Sequence, residues 1–148
     1  MRKWLEGDLA RWFSALVSLP VADDWIELEG LSVEVSEVLY VPTLEAPEEK
    51  PHPFVYFVNI INDSSEQVTL HGRKWIVREH DGELTVLEGD GIVGQRPVIP
   101  PQDRYSYNSY HVVAGSGTAW GAFYGVTDAG VRIRVKIPEF GMAIPGWV

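Results

Sequence analysis

Val131-Arg132-Ile133-Arg134-Val135-Lys136-Ile137 sets an apolar residue at every odd position and a basic residue at every even one. A strand turns successive side chains to opposite faces, so this period of two defines a half-buried strand with one dry and one wet side. Strands of that kind belong to antiparallel sheets covered on one face. Pro138 is expected to end it, because proline has no N–H to donate. Just upstream, Thr127-Asp128-Ala129-Gly130 reads as the turn of a hairpin whose other arm is Thr118–Val126.

The same pattern extends toward the N-terminus. Gly115–Gly117 is a turn, and before it Tyr105, Tyr107 and Ser109 alternate with Ser106, Asn108 and Tyr110 in a strand over Arg104–Val113. Asp81-Gly82 lies between Trp75–Arg78 and Leu84–Leu87, a hairpin signal because Asp-Gly tolerates positive φ. A long strand is expected over Gln67–Val77, kinked or bulged at His71-Gly72. Asn62–Ser65 is a turn, and Phe54–Ile61, apolar on both faces apart from Asn59, suits a central strand. Leu31, Val33 and Val35 alternate with polar residues, and Val38 and Tyr40 resume the pattern after a bulge. Pro42–Pro53 reads as an extended loop. Many short strands joined by Gly, Pro and Asp turns define an all-β sandwich or small barrel.

The chain has 148 residues and a formal net charge of −9. That length suits one domain with a core that needs no staples. There is no cysteine, which excludes structural disulfides, thiolate-held zinc, cysteine-ligated iron–sulfur clusters and a cysteine nucleophile. A cysteine-free chain fits a reducing cytoplasm, the expected compartment. No run approaches the ~20 apolar residues of a membrane helix. Glu6, Asp8 and Arg11 interrupt any signal-peptide core before Pro20. The acidity is uneven: residues 22–50 carry nine acidic residues against Lys50 alone. Excess negative charge disfavours non-specific binding to nucleic acid.

Residues 2–18 place Trp4, Leu5, Leu9, Trp12, Phe13, Leu16 and Val17 on one face of a short helix that Pro20 stops. The expected organisation is therefore a helix and acidic linker over residues 1–29, then a β-sandwich domain over residues 30–148. Trp4, Trp12 and Phe13 are costly to leave wet. Their face is expected to dock on the same chain, on a sister subunit of a homo-oligomer or on a protein partner. The acidic stretch that follows disfavours a membrane surface.

Gly89, Gly91 and Gly94 match the spacing G-x-G-x-x-G. In a dinucleotide fold those glycines lie between a strand and a helix whose N-terminus holds pyrophosphate. Here Gln95-Arg96-Pro97-Val98-Ile99-Pro100-Pro101 follows, and three prolines in five positions cannot build that helix. No P-loop motif is present. Two readings remain. The glycines shape an irregular loop, or their N–H groups converge with Arg96, helped by Arg73 or Arg104, on pyrophosphate, a nucleotide or another small anion. His52, His71, His80 and His111 lack metal-ligand spacing, and no serine has a G-x-S-x-G setting. No catalytic residue, metal ligand or resident cofactor is assigned, although a divalent cation stays among the ligands considered. Binding is expected rather than catalysis, with a phosphohydrolase as a further alternative.

Several short signatures occur in one order: Asn62, Val68-Thr69-Leu70, Arg73-x-Trp75-x-Val77, Asp81-Gly82, Gly89-x-Gly91-Ile92-Val93-Gly94-Gln95-x-Pro97, Tyr107-x-Ser109, Gly117-Thr118-x-x-Gly121-x-Phe123 and Ile137-Pro138-x-Phe140. In that order they resemble the ApaG domain (DUF525) of bacterial ApaG-like proteins, from about Val33 to Pro145. The resemblance implies a sandwich like those of fibronectin type III and immunoglobulin domains. It also implies a role in protein–protein interaction, a link to cobalt and magnesium tolerance, and a suggested pyrophosphate or nucleotide site on Gly89, Gly91 and Gly94. It implies no catalytic set. Tyr110 after Ser109, Ala119 after Thr118 and Phe123 depart from the family pattern, and the N-terminal helix is foreign to it.

Overall fold

The computed structural model describes residues 25–147. They form nine strands and no helix: β1 (Ile26–Glu27), β2 (Leu31–Tyr40), β3 (His52–Asn62), β4 (Val68–Glu79), β5 (Leu84–Asp90), β6 (Val98–Ile99), β7 (Asp103–Val113), β8 (Gly117–Thr127) and β9 (Arg132–Met142). The larger sheet runs β1-β9-β8-β4-β5, with β6 also paired to β4, and the smaller runs β2-β3-β7. Every pairing is antiparallel except that of β1 with β9. The fold is an all-β sandwich of two sheets. Among the described residues no helix is long and apolar enough to cross a membrane. The helix expected over residues 2–18, with Trp4, Trp12 and Phe13, lies outside the described residues.

The alternation in the sequence becomes the division between core and surface. In β9, Ile133, Val135 and Ile137 are buried, whereas Arg132, Arg134 and Lys136 point away from the core. Pro138 does not end this strand. β9 continues to Met142, and its register with β8 shifts between Ala119 and Gly121. The shift takes Pro138 out of the ladder, so its missing N–H is not called upon. The bulges expected in β2 and β4 are present, between Val35 and Glu37 and between Leu70 and Gly72. β3 is central in the smaller sheet, but no described layer buries its outer side, where Val55, Phe57 and Ile61 stay half-exposed. Two short elements escaped the periodicity. Ile26-Glu27, in the stretch expected as linker, pairs with Ile133-Arg134, and Val98-Ile99 pairs with Val68-Thr69 between prolines.

The core centres on aromatic rings contributed by both sheets. Tyr56 from β3 meets Trp75 from β4 at 4.8 Å between ring centroids, and His111 from β7 lies 4.6 Å from Tyr56 and 4.7 Å from Trp75. Phe123 and Phe140 complete the cluster, packed edge-on to Trp75.

Asn62 fastens one end of the sandwich. Its Nδ2 donates to the carbonyls of Glu66 (2.8 Å) and Ile99 (2.9 Å), and its Oδ1 accepts from the N–H (3.0 Å) and hydroxyl (2.6 Å) of Ser64. One buried amide thus joins β3, the turn after it and β6. Asn62→Ala strands the Ile99 carbonyl and the Ser64 N–H away from water, at an expected cost of about 2 kcal/mol. Urea denaturation followed by circular dichroism checks this. A loss below about 0.5 kcal/mol means that water replaces the amide.

Candidate functional site

The glycine segment begins where β5 leaves the larger sheet. Gly89 still pairs with Arg73, and Asp90 with Gly72. Gly91 then turns with φ +71°, a conformation only glycine adopts freely, and its N–H donates to the His71 carbonyl at 2.5 Å. A Cβ at this position would stand 2.6 Å from the Gln95 carbonyl oxygen. Ile92 and Gln95 then exchange N–H···O bonds of 2.7 and 3.0 Å. Between them, Val93 (φ +49°) and Gly94 (φ +77°) form the two-residue turn of a miniature hairpin. The buried Ile92 side chain anchors this hairpin to the core. So the G-x-G-x-x-G spacing builds a tight hairpin folded against β4, not a strand-to-helix crossing.

Arg73 holds the hairpin from below. Its Nη1 donates to the carbonyls of Asp90 (3.0 Å) and Gly91 (3.1 Å). The same guanidinium partly offsets the effect of burial on two phenols. Burial drives Tyr56 up, while a hydrogen bond with Ser109 and the charge of Arg73 pull it back. Tyr107 is likewise held well above the usual phenol range, by burial first and by Tyr56 second, with Arg73 opposing. Both hydroxyls therefore stay protonated at neutral pH, which disqualifies them as bases.

The hairpin consumes much of its own hydrogen-bonding capacity. The N–H groups of Ile92 and Gln95 are used within it, and that of Gly91 is used by His71 of β4. The pair of opposite backbone hand, Gly91-Ile92, is the one whose N–H groups are taken, while Val93 and Gly94 share one hand. What remains outward is the Val93 side chain, 53% exposed, with exposed Gln95 and Arg96. Among the described residues Arg96 makes no hydrogen bond or ion pair. Val98, two residues on, is equally exposed at 53%. Gly89, Gly91, Gly94 and Arg96 thus share one structural unit, joined by Arg73. Arg104 is the second residue of β7 and is exposed.

A cavity of about 240 Å³ opens elsewhere, between the loop around Pro47–Lys50 and strands β4, β5 and β7. Lys50 closes its rim, with Nζ 3.2 Å from Glu79 Oε2, 3.2 Å from Thr85 Oγ1 and 3.5 Å from Glu83 Oε1. That ammonium is already neutralised, and Glu79 also accepts from the Ala114 N–H. His111 forms part of the cavity wall. Burial pushes its imidazole down to about 3, so it is neutral, and among the described residues neither ring nitrogen has a partner. His52 bonds Tyr40 at 2.9 Å instead. Among the described residues no three His, Asp or Glu side chains gather as a metal would require. The burial of His111 and of Glu88 escaped the sequence reading, which has no means of knowing which sheet face is covered.

These features define a class: a two-sheet β-sandwich carrying a rigid glycine hairpin at one sheet edge. The ApaG domain model matches residues 42–127, and the chain belongs to the ApaG domain family. It is similar to the ApaG protein of Shewanella sp. (strain MR-7), 32% identical over 119 residues, covering 80% of this chain and 94% of that one. It is also similar to the ApaG protein of Vibrio cholerae (strain O395), 32% identical over 81% of this chain and 95% of its relative. A crystal structure of a Bordetella pertussis protein superimposes with a TM-score of 0.72 at 30% identity, covering 82% of this chain and 98% of that chain.

Proposed function

We propose that this protein is a non-enzymatic interaction domain, acting in the cytoplasm, that presents the hairpin of residues 89–97 to a protein partner. The observation that carries the reading is Val93. A β-branched residue at positive φ is strained by roughly 1–2 kcal/mol, yet Val93 occupies that position at an exposed tip where glycine would relax it. Arg73, two backbone bonds within the hairpin and one from Gly91 to His71 of β4 make it rigid, which lowers the ordering cost of binding. Strain kept at an exposed apolar tip is accounted for by a contact with a partner. The link to cobalt and magnesium tolerance implied by the family resemblance then runs through that partner.

Val93→Gly is the informative change. Strain relief outweighs the added chain entropy, so the variant is expected to be as stable as wild type or up to about 1 kcal/mol more stable. It is also expected to lose a partner that wild type captures from extracts of the native cell. If the two chains recover the same proteins in equal yield, the hairpin is not the contact surface.

Arg96 favours a second reading. Its guanidinium, beside tip N–H groups of Val93 and Gly94 that like it make no bond among the described residues, offers positive charge to pyrophosphate or a nucleotide. Calorimetric titration with pyrophosphate distinguishes it: heat that disappears in Arg96→Ala supports a small-anion site, and no heat from wild type removes it.

A further inference from the structure

β5 ends the larger sheet and β7 the smaller, and the loop from Val41 to Pro51 crosses the gap between these two edges. The loop's backbone bonds stay within it and its flank: the N–H of Val41 donates to Pro53, that of Leu44 to Val41 and that of Lys50 to Pro47. Side chains hold it across the gap. Lys50 reaches Glu79 and Thr85 of the larger sheet, and the Tyr110 hydroxyl of β7 donates to the Glu45 carbonyl at 2.9 Å. Behind Pro47 and Lys50 lies the cavity of about 240 Å³. It stands at the Glu79 end of β4, whereas the glycine hairpin folds against the Gly72 end.

The walls come from the inner faces of both sheets. Val77 and Thr85 are a cross-strand pair, Leu87 stands two positions beyond Thr85 on the same face, and all three are buried. His111 adds a wall from β7, where it pairs with Phe54. Its ring lies against Tyr56 and Trp75, but among the described residues its two nitrogens have no partner. A neutral imidazole offers one donor and one acceptor, and leaving both unmet in a buried place is costly. The cavity is the space beside that ring. Packed sheets stand about 10 Å apart, so the space is a slot that favours a flat occupant. A buried cavity of roughly 150 Å³ takes up benzene, so this one has room for one or two fused rings. Charge is disfavoured, because Val77, Leu87 and neutral His111 present none. Lys50, the only cation of the lining, is already matched by Glu79 and Glu83.

We propose that this cavity is a binding site for a small uncharged aromatic molecule of one or two rings, bearing one N–H or O–H that donates to a ring nitrogen of His111. The hydrocarbon body lies against Val77 and Leu87, and the loop that bears Lys50 closes over it. The site is separate from the hairpin surface, and either can fail without the other.

Indole has that shape and donor, indene has the shape alone, and benzoate adds a negative charge. Titrating each into the full-length protein, followed by amide shifts in two-dimensional NMR, reads affinity and place together. Indole is expected to bind with a Kd of about 1 mM or below, ordinary for a ligand of its size. It is expected to shift the amides of Val77, Thr85, Leu87 and Val112, which line the cavity. Indene is expected to bind about fivefold more weakly, the share of one hydrogen bond, and benzoate more weakly than indole. In His111→Phe, which keeps an aromatic ring, the preference for indole over indene is expected to disappear. A substitution that merely loosened the packing would weaken both probes alike and leave that ratio in place. The proposal is overturned by no saturable shift with indole, by shifts that map elsewhere, or by benzoate binding more tightly than indole. Equal affinity of the wild type for indole and indene overturns it as well, and so does a preference that survives in His111→Phe.

Discussion

Trp75→Ala is expected to remove about 3–5 kcal/mol of stability, a large share of the margin of a domain this size. Trp75 is fully buried and packs against Tyr56, His111, Phe123 and Phe140, so its removal opens a cavity between the sheets that those rings cannot all collapse to fill. Trp147 is 75% exposed, and Trp147→Ala is expected to change stability by less than about 1 kcal/mol. Urea unfolding of the two variants side by side checks the contrast. Similar losses would mean that Trp75 does not join the two sheets.

Acid is expected to weaken the fold through His111. Burial penalises the charged form of its imidazole and pushes it down from 6.5 to about 3 in the folded chain. Below pH 6.5 the unfolded chain therefore takes up a proton that the folded chain refuses. The stability from neutral His111 is complete above pH 6.5 and falls by about 1.4 kcal/mol per pH unit down to the folded value. The expected loss is about 3 kcal/mol by pH 4.5. Glu88 works in the other sense: its raised carboxyl is a cost above its folded pKa that protonation relieves. Comparing urea midpoints at pH 7 and 4.5 for wild type and His111→Phe separates the two. The variant should lose most of the acid sensitivity, and an unchanged slope would assign it to another group.

The strands could be read because their pattern is local. Val131–Ile137 declares its two faces residue by residue, and Asp81-Gly82 declares its hairpin, where Gly82 indeed has φ +92°. Pro138 misled because the bulge that accommodates it lies in the register of β9 with β8, between Ala119 and Gly121, and is invisible from β9 alone. The apolar second face of β3 suggested burial on both sides, but an outer strand layer is a tertiary fact and the smaller sheet has none among the described residues.

The candidate site was legible to the same degree. Three prolines after Gly94 were enough to exclude a dinucleotide helix. The internal closure of the hairpin was not legible, because it depends on Arg73 and His71, brought alongside by the pairing of β4 with β5. Asn62 looked like an ordinary turn residue, and only the fold shows that one amide serves three segments.

The central claim, an interaction domain that binds through its glycine hairpin, is tested most directly by a photo-reactive amino acid placed at position 93 and, as control, at exposed Ser106 on the smaller sheet. Irradiation in native cells is expected to link one reproducible protein partner to position 93 and not to position 106. No adduct at 93, or the same adducts at both positions, would contradict the account.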